Sequence, residues 1–542
     1  MVRIDLKAIM AIFAVIIMGV LGGCAASDSD IPAPVVILTS PANQATGVLL
    51  TEPIAVAFSK VMQSDAFTST NFTVTPSGGA AVSGNITYAN GYATLTPAVP
   101  MLPSTLYTAT IAAGVQASDG SALVASYSWS FTTGPLNAGF GSGGVVTTPV
   151  SATLGDGARA VAVQPLDGKI VAVGYVDSGG GNYDFAIVRY NTDGSLDAGF
   201  GVNGIVVTAV SASADEARAV VIQPGGKIVV AGVAYNGADT DFAVVRYGTN
   251  GNLDTAFGNG GIVITDFGTN SNDEAFAVAV YPVTGEIVVV GHTGSLVASD
   301  FALARYTAGG ALDTRFDTDG MQTTSFGEGV DAAYSVAIQG DGKIVVAGIT
   351  DSTPGTEINN DFALARYDGT TGALDAAFGN SGKVTTNVAG ANEGAFAVGI
   401  QSGGKIVAAG VVFNGANNDF GLVRYNALDG TLDTTFGVAG TVITDMAGGN
   451  DAALALMIQI DGKIVVAGTA FVTNQANDFA TARYTADGVL DTTFDTDGKV
   501  ITNISALSDA AFGVAQSVGN IVLAGSSGTG ASANFVLVGF AP

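Results

Sequence analysis

From Leu136 onward the chain repeats one pattern seven times, and few folds accommodate that. The pattern opens at Leu136, Leu196, Leu253, Leu312, Leu374, Leu432 and Leu490, at spacings of 60, 57, 59, 62, 58 and 58 residues. A typical unit reads Leu-Asp-x-x-Phe, then Gly-x-Val-x-Thr, then a hairpin, then Asp-Phe-Ala-x-x-Arg-Tyr. The hairpin is plainest at 331–348, where apolar runs at 336–339 and 343–347 flank a Gly-Asp-Gly turn. β-Branched, alternating runs joined by so tight a turn predict paired strands. A unit of this length holding four strands predicts one propeller blade. The expected fold over 136–542 is therefore a seven-bladed β-propeller in an all-β chain. Within 217–223, small residues (Ala217, Ala219) alternate with larger ones, which suits the crowded innermost strand of a blade. Lys-Ile-Val-Val-Ala-Gly would come second and Asp-Phe-Ala-x-x-Arg-Tyr third. Gly-x-Val-x-Thr of the following unit would form the outer edge.

Upstream of the array the chain reads differently. Residues 1–23 carry Arg3 and Lys7, an apolar run over 8–21, and then Leu21-Gly22-Gly23-Cys24. This is the pattern of a secretory signal. Cys24 is the only cysteine, so no intrachain disulfide can form. Residues 24–33 are a short polar tether. From 34 to 134 the period is lost, while short alternating runs continue at 54–58, 72–75, 92–96, 107–111 and 127–132. About 100 residues of this kind predict an Ig-like sandwich. Trp129, the only tryptophan, is expected in its core. Beyond the N-terminus no apolar run approaches the roughly 20 residues of a membrane span. The net charge of −27 argues against nucleic acid as a partner, because phosphate binding needs basic patches.

Three stretches resemble known families. The end of the signal is similar to the bacterial lipobox, which implies acylation of Cys24 and a lipid anchor in the membrane. With Ala25 rather than Asp following, that resemblance further implies the outer membrane of a Gram-negative cell. Phe58-Ser-Lys-Val-Met62, Thr96-Pro97 with Leu102 and Tyr107, and Trp129-Ser-Phe-Thr-Thr-Gly134 resemble the bacterial Ig-like domain of S-layer and other surface proteins. Leu432-Asp-Thr-Thr-Phe-Gly437, Asp461-Gly-Lys-Ile-Val-Val-Ala-Gly468 and Asp478-Phe-Ala-Thr-Ala-Arg-Tyr484 resemble the delta-60 repeat family. That family implies a propeller-like fold and a place on the bacterial surface, and brings no assigned reaction.

Candidate chemistry is sparse. His292 is the only histidine and reads as a loop residue after the second strand of its hairpin. No Ser-His-Asp or Cys-His arrangement can be built without it, and zinc sites with several His or Cys ligands are excluded by count. Carboxylate chemistry of the glycosidase kind stays open, although no insertion breaks the repeat. Asn191, Asp193 and Asp197 have the spacing of a calcium loop, and Asp317 with Asp319 and Asp495 with Asp497 hold half of it. No other cofactor is indicated.

Two regularities concern charge. Asp156, Asp215, Asp273, Asp331, Glu393, Asp451 and Asp509 recur at the start of each inner strand and should encircle one mouth of the central channel. Neighbours at about 8 Å with an effective dielectric near 20 would repel by about 2 kcal/mol. Such a ring would need loop N–H groups, basic neighbours or a bound cation. Arg189, Arg246, Arg305, Arg366, Arg424 and Arg483 each precede an aspartate by eight or nine residues: Asp197, Asp254, Asp313, Asp375, Asp433 and Asp491. Six structural ion pairs, one per blade, are expected. In the last unit the arginine position holds Gly539, and the first unit has Asn137 in place of Asp. Both gaps fall in one blade if residues 144–148 pair with 534–540 and close the ring. The leading functional expectation is a non-enzymatic binding or structural role for a polysaccharide or protein partner. The alternatives are a carboxylate-based or calcium-dependent enzyme acting on an extracellular polymer, and an architectural envelope protein.

Overall fold

A computed structural model describes residues 33–541, except 90, 269, 296, 352–358, 391 and 473–475. The signal, Cys24 and nearly all of the tether lie outside these residues. The first domain is a sandwich of two four-stranded sheets. One sheet runs Val36–Ser40, Ile54–Phe58, Tyr92–Pro97, Gly84–Ala89, and the other Ala45–Val48, Tyr127–Thr133, Leu106–Ile111, Phe72–Pro76. Val36–Ser40, Ala45–Val48 and Gly84–Ala89 add to the five strands expected. Gly47 and Gly84 interrupt two of these, which weakens their pattern in sequence. Trp129 is buried in the core and packs beside Phe72. Leu50 reaches out of this domain into a cluster with Leu136, Phe494 and Phe540.

The repeats form seven four-stranded antiparallel sheets. In blade 1 the order is Asp156–Val163, Ile170–Gly179, Asn182–Tyr190, Ile205–Thr208. The first strands of the other blades are Asp215–Ile222, Asn272–Val280, Asp331–Ile338, Gly394–Ile400, Asp451–Ile458 and Asp509–Ser517. Each of these first strands touches the first strands of the blades on either side, and the last touches that of blade 1. They are therefore innermost, and the ring is closed. Second and third strands such as Ile228–Tyr235 and Thr240–Tyr247 are buried almost throughout, because a neighbouring blade covers each face. This explains runs that are continuously apolar rather than alternating.

Closure uses the N-terminal side of the array. Val145–Thr148 pairs with Asn534–Phe540 in the register Phe535↔Thr148, Val536↔Thr147, Leu537↔Val146 and Val538↔Val145. Blade 7 thus takes its outer strand from the start of the array, which covers an edge that would otherwise be open. Buried Tyr–Thr hydrogen bonds join neighbouring blades. Tyr190 donates to Thr148 at 2.9 Å across the junction of blades 7 and 1, and Tyr247 repeats this with Thr208 at 2.9 Å.

Candidate functional site

The second strand of every blade has a glycine at one position, and it shapes the site. A Cβ on Gly174, Gly232, Gly291, Gly348, Gly410, Gly468 or Gly525 would lie within 2.0 Å of a carbonyl oxygen on the innermost strand. That strand is bulged there, with the register slipping between Ala158 and Ala160 in blade 1 and between Ala217 and Ala219 in blade 2. A bulge re-aims the extra residue. The extra residues are Arg159, Arg218, Phe276, Tyr334, Phe396, Leu454 and Phe512, one per blade, and all are half-buried.

These side chains meet from blade to blade around the axis. The Arg159 guanidinium lies 4.7 Å from the Phe512 ring of blade 7 and 5.0 Å from Tyr175. Arg218 sits 4.6 Å over Phe276, Phe276 is 4.8 Å from Tyr334, and Tyr334 is 5.1 Å from Phe396. Two carboxylates pair with the arginines, one of them between the two. Glu216 accepts from Arg159 Nε at 2.6 Å and Arg218 Nε at 3.3 Å, and Glu274 pairs with Arg218 Nη1 at 2.7 Å. Burial pushes the Glu216 carboxyl up, but Arg159 and Arg218 outweigh this and hold it below its ordinary value. One arc of the channel mouth is therefore ionic and the rest aromatic or apolar. Sequence reasoning passed over this ring because it looked for insertions. The available signal was the one inner-strand position where the units disagree in kind.

His292 belongs to this site. It lies within the strand Ile287–Ser295, opposite Glu274, and not in a loop, because the second strand runs further than the repeat pattern indicates. Its ring stacks on Phe276 at 5.6 Å, and burial lowers its pKa.

The seven acids do sit at the starts of the innermost strands, but their carboxylates turn into their own loops. Asp156 accepts from the N–H groups of Val150 and Ser151 at 2.8 and 3.0 Å and from Phe535 at 2.8 Å. Asp215 accepts from Val210 and Ser211, Asp273 from Phe267, Asp331 from Phe326, Asp451 from Met446, and Asp509 from Ile504 and Ser505. Glu393 takes three loop N–H groups, those of Val388, Ala389 and Gly390. All seven are buried, so they fasten the loops between blades rather than line the open mouth. Burial raises the pKa of each, that of Asp451 to about 6.

The six arginines lie 2.6–3.0 Å from their aspartates. A second cation shares most of these carboxylates: Lys169, Lys227, Lys343, Lys405 and Lys463 each contact the aspartate of their own blade. In blade 3 Glu286 stands in the lysine position, and Arg315 supplies the cation to Asp313 at 2.8 Å. In blade 7 all three positions are neutral. Asn520 replaces lysine and accepts from Asn137 at 2.5 Å, and a Cβ on Gly539 would meet the Phe140 ring at 2.6 Å. The ion cluster is thus missing as a whole from this blade.

Five of the seven residues with the sequence spacing suggestive of calcium have side chains that meet other partners, while Asp495 keeps a buried Oδ1 without one. Asp197 is taken by Arg189 and Lys169, Asp193 accepts from Ser195, and the Asn191 amide donates to Ser195. Asp319 and Asp497 accept from the N–H groups of Met321 and Lys499, Asp317 donates its N–H to the Thr371 carbonyl, and Asp495 is buried. Among the described residues, carboxylates gather in threes elsewhere, at Asp241, Asp266 and Asp273 and at Asp419, Asp445 and Asp451.

Comparisons with known proteins agree with the fold. Residues 30–133 match the family described as bacterial Ig-like domain. Residues 166–200, 223–257, 284–316, 339–378, 401–436 and 459–494 match a domain of unknown function (DUF5122) beta-propeller. No match was found among curated protein sequences. Among solved structures the chain is similar to Sqt1 from Chaetomium thermophilum, at 12% identity and TM-score 0.37 over 73% of this chain and 100% of that one. It is also similar to an ulvan lyase of a polysaccharide lyase family, at 13% identity and TM-score 0.42 over 73% and 96%. The polysaccharide lyase Uly1 follows at 13% identity and TM-score 0.40 over 71% and 90%. Likenesses of this degree carry no functional argument. The chain carries an N-terminal bacterial Ig-like domain followed by a β-propeller repeat domain.

Proposed function

We propose that this is an exported, lipid-anchored binding protein of the bacterial surface, whose Ig-like domain holds the propeller away from the membrane and whose channel mouth binds a polysaccharide. One observation carries the reading: a repeat that holds its framework constant varies at the bulged inner-strand residue, and does so with Arg159, Arg218, Phe276, Tyr334, Phe396 and Phe512. Aromatic faces with a few placed polar groups suit a small ligand such as a sugar chain end. A flat protein epitope would need a broad surface instead. Binding fits this mouth better than hydrolysis does. A general acid needs a raised pKa, whereas Glu216 is held ionised between two arginines and Glu274 is ion-paired.

The test is a glycan-array screen of the mature protein lacking its acyl chains, alongside Tyr334→Ala and Arg218→Ala. Wild type should select a restricted set of glycans, with binding weakened about tenfold or more in each variant, the loss of roughly 1.4 kcal/mol or more. Unchanged binding by both variants would place the site elsewhere, and capture of a protein with no glycan binding would replace the ligand class. For the anchor, Cys24→Ser should lose labelled fatty acid and leave the detergent phase. Acylation of that variant would refute it.

A further inference from the structure

We propose that two junctions between blades each bind a calcium ion: one on Asp241, Asp266 and Asp273, the other on Asp419, Asp445 and Asp451. In each group the three ligand oxygens lie within 4.8 Å of one another. Such a spread fits within two calcium–oxygen distances of about 2.4 Å each, and an all-carboxylate donor set suits a hard cation.

The geometry recurs in equivalent places. Asp241 and Asp419 are the second residues of the third strands of blades 2 and 5, Asp266 and Asp445 directly follow the outer strands of those blades, and Asp273 and Asp451 are the second and first residues of the next innermost strands. A cation there ties one blade to its neighbour. The unpaired atoms point the same way. Asp241 and Asp419 are 4 and 3% exposed, and Oδ1 of each has no hydrogen-bond partner. No lysine or arginine lies within salt-bridge distance of any of the six carboxylates among the described residues. Buried carboxylate oxygens without partners are costly, and bound cations are among the few groups that satisfy several at once.

The other junctions act as internal controls. Where blade 4 meets blade 5, Asn387 occupies the position of Asp266 and its amide donates to Asp361 Oδ1 at 2.8 Å. Asn503 takes that position between blades 6 and 7, and Ser325, Ala209 and Pro149 elsewhere. The third carboxylate is thus confined to the two junctions where the Oδ1 of Asp241 or Asp419 lacks the donor that Asn387 supplies. Asp266 and Asp445 are exposed, which gives an ion a way in.

The experiment is calcium titration of the full mature protein by isothermal calorimetry after chelation, with Asp266→Asn, Asp445→Asn and the double variant. Asparagine already serves at positions 387 and 503, so folding should survive, and circular dichroism with chelator present checks this. Expected stoichiometries are two for wild type, one for each single variant and zero for the double variant. Calcium should raise the melting temperature of wild type and leave that of the double variant unmoved. No uptake by wild type at millimolar calcium overturns the proposal, as does a double variant that still binds two ions. A stoichiometry of one, abolished by a single variant, keeps that junction and overturns the other.

Discussion

Removing the carboxylate of a blade's ion cluster should cost more than removing its arginine. In blade 4 Arg366 is 2% exposed; it donates from Nε to Asp375 at 2.9 Å and from Nη2 to the Leu428 carbonyl at 2.6 Å, and also bonds the Ala427 carbonyl. Its guanidinium lies 4.3 Å from the Phe378 ring. Asp375 has a second partner in Lys343 at 2.9 Å. Burial pushes its carboxyl up, but Lys343, the Ala377 N–H and Arg366 outweigh it and keep it ionised. Asp375→Asn strands a buried guanidinium, a change worth about 3–5 kcal/mol. Arg366→Met leaves Asp375 paired with Lys343, keeps most of the packing and forfeits the bonds to carbonyls, for about 2 kcal/mol. Differential scanning calorimetry and urea unfolding followed by far-ultraviolet circular dichroism would rank the two; Trp129 lies in the other domain and does not report on this one. If Asp375→Asn is no more destabilising than Arg366→Met, or falls within about 1 kcal/mol of wild type, the argument from buried charge is wrong.

Two further outcomes follow from the fold. A chain beginning at Pro135 keeps the closing strand Val145–Thr148, whereas one beginning at Ser151 lacks it. The second should melt earlier and aggregate through the bared edge of Asn534–Phe540, and equal stability of the two would refute closure by that strand. Asp478 has its pKa pushed up to about 7, by burial first and then by the charge of Asp509. Holding that proton stabilises the fold fully below the unfolded-state pKa near 4, and the benefit is lost as pH rises through about 7. Asp478→Asn should therefore raise the melting temperature at pH 8 and leave it unchanged at pH 3.5; a benefit independent of pH would contradict this.

The propeller was legible because its period, turn glycines and strand runs all repeat. The closing strand could be read from one unit having a spare outer strand while another lacked one. The Arg-to-Asp spacing was legible because both residues flank the same turn. Lys169 and its equivalents were not, since they come from a neighbouring strand and only the fold brings them to the carboxylate. Residue order places the seven acids at a channel mouth, but not that their side chains turn back onto loop N–H groups. The channel-mouth ring was hidden for a related reason. Aligning repeats draws attention to what agrees, whereas Arg218, Phe276 and Tyr334 matter because they differ. The strand bulge that aims them also had to be seen in three dimensions, although the second-strand glycine that permits it stands in every unit.

The central claim is that a ligand seats on the bulged residues of the innermost strands. Hydrogen–deuterium exchange of the mature protein, with and without the glycan selected by the array, tests this most directly. Protection should appear in peptides covering 156–161, 215–220, 273–278, 331–336 and 394–398, with the Ig-like domain unchanged. Protection confined to the opposite face around Leu166 and Val283, or to the Ig-like sandwich, would contradict the account.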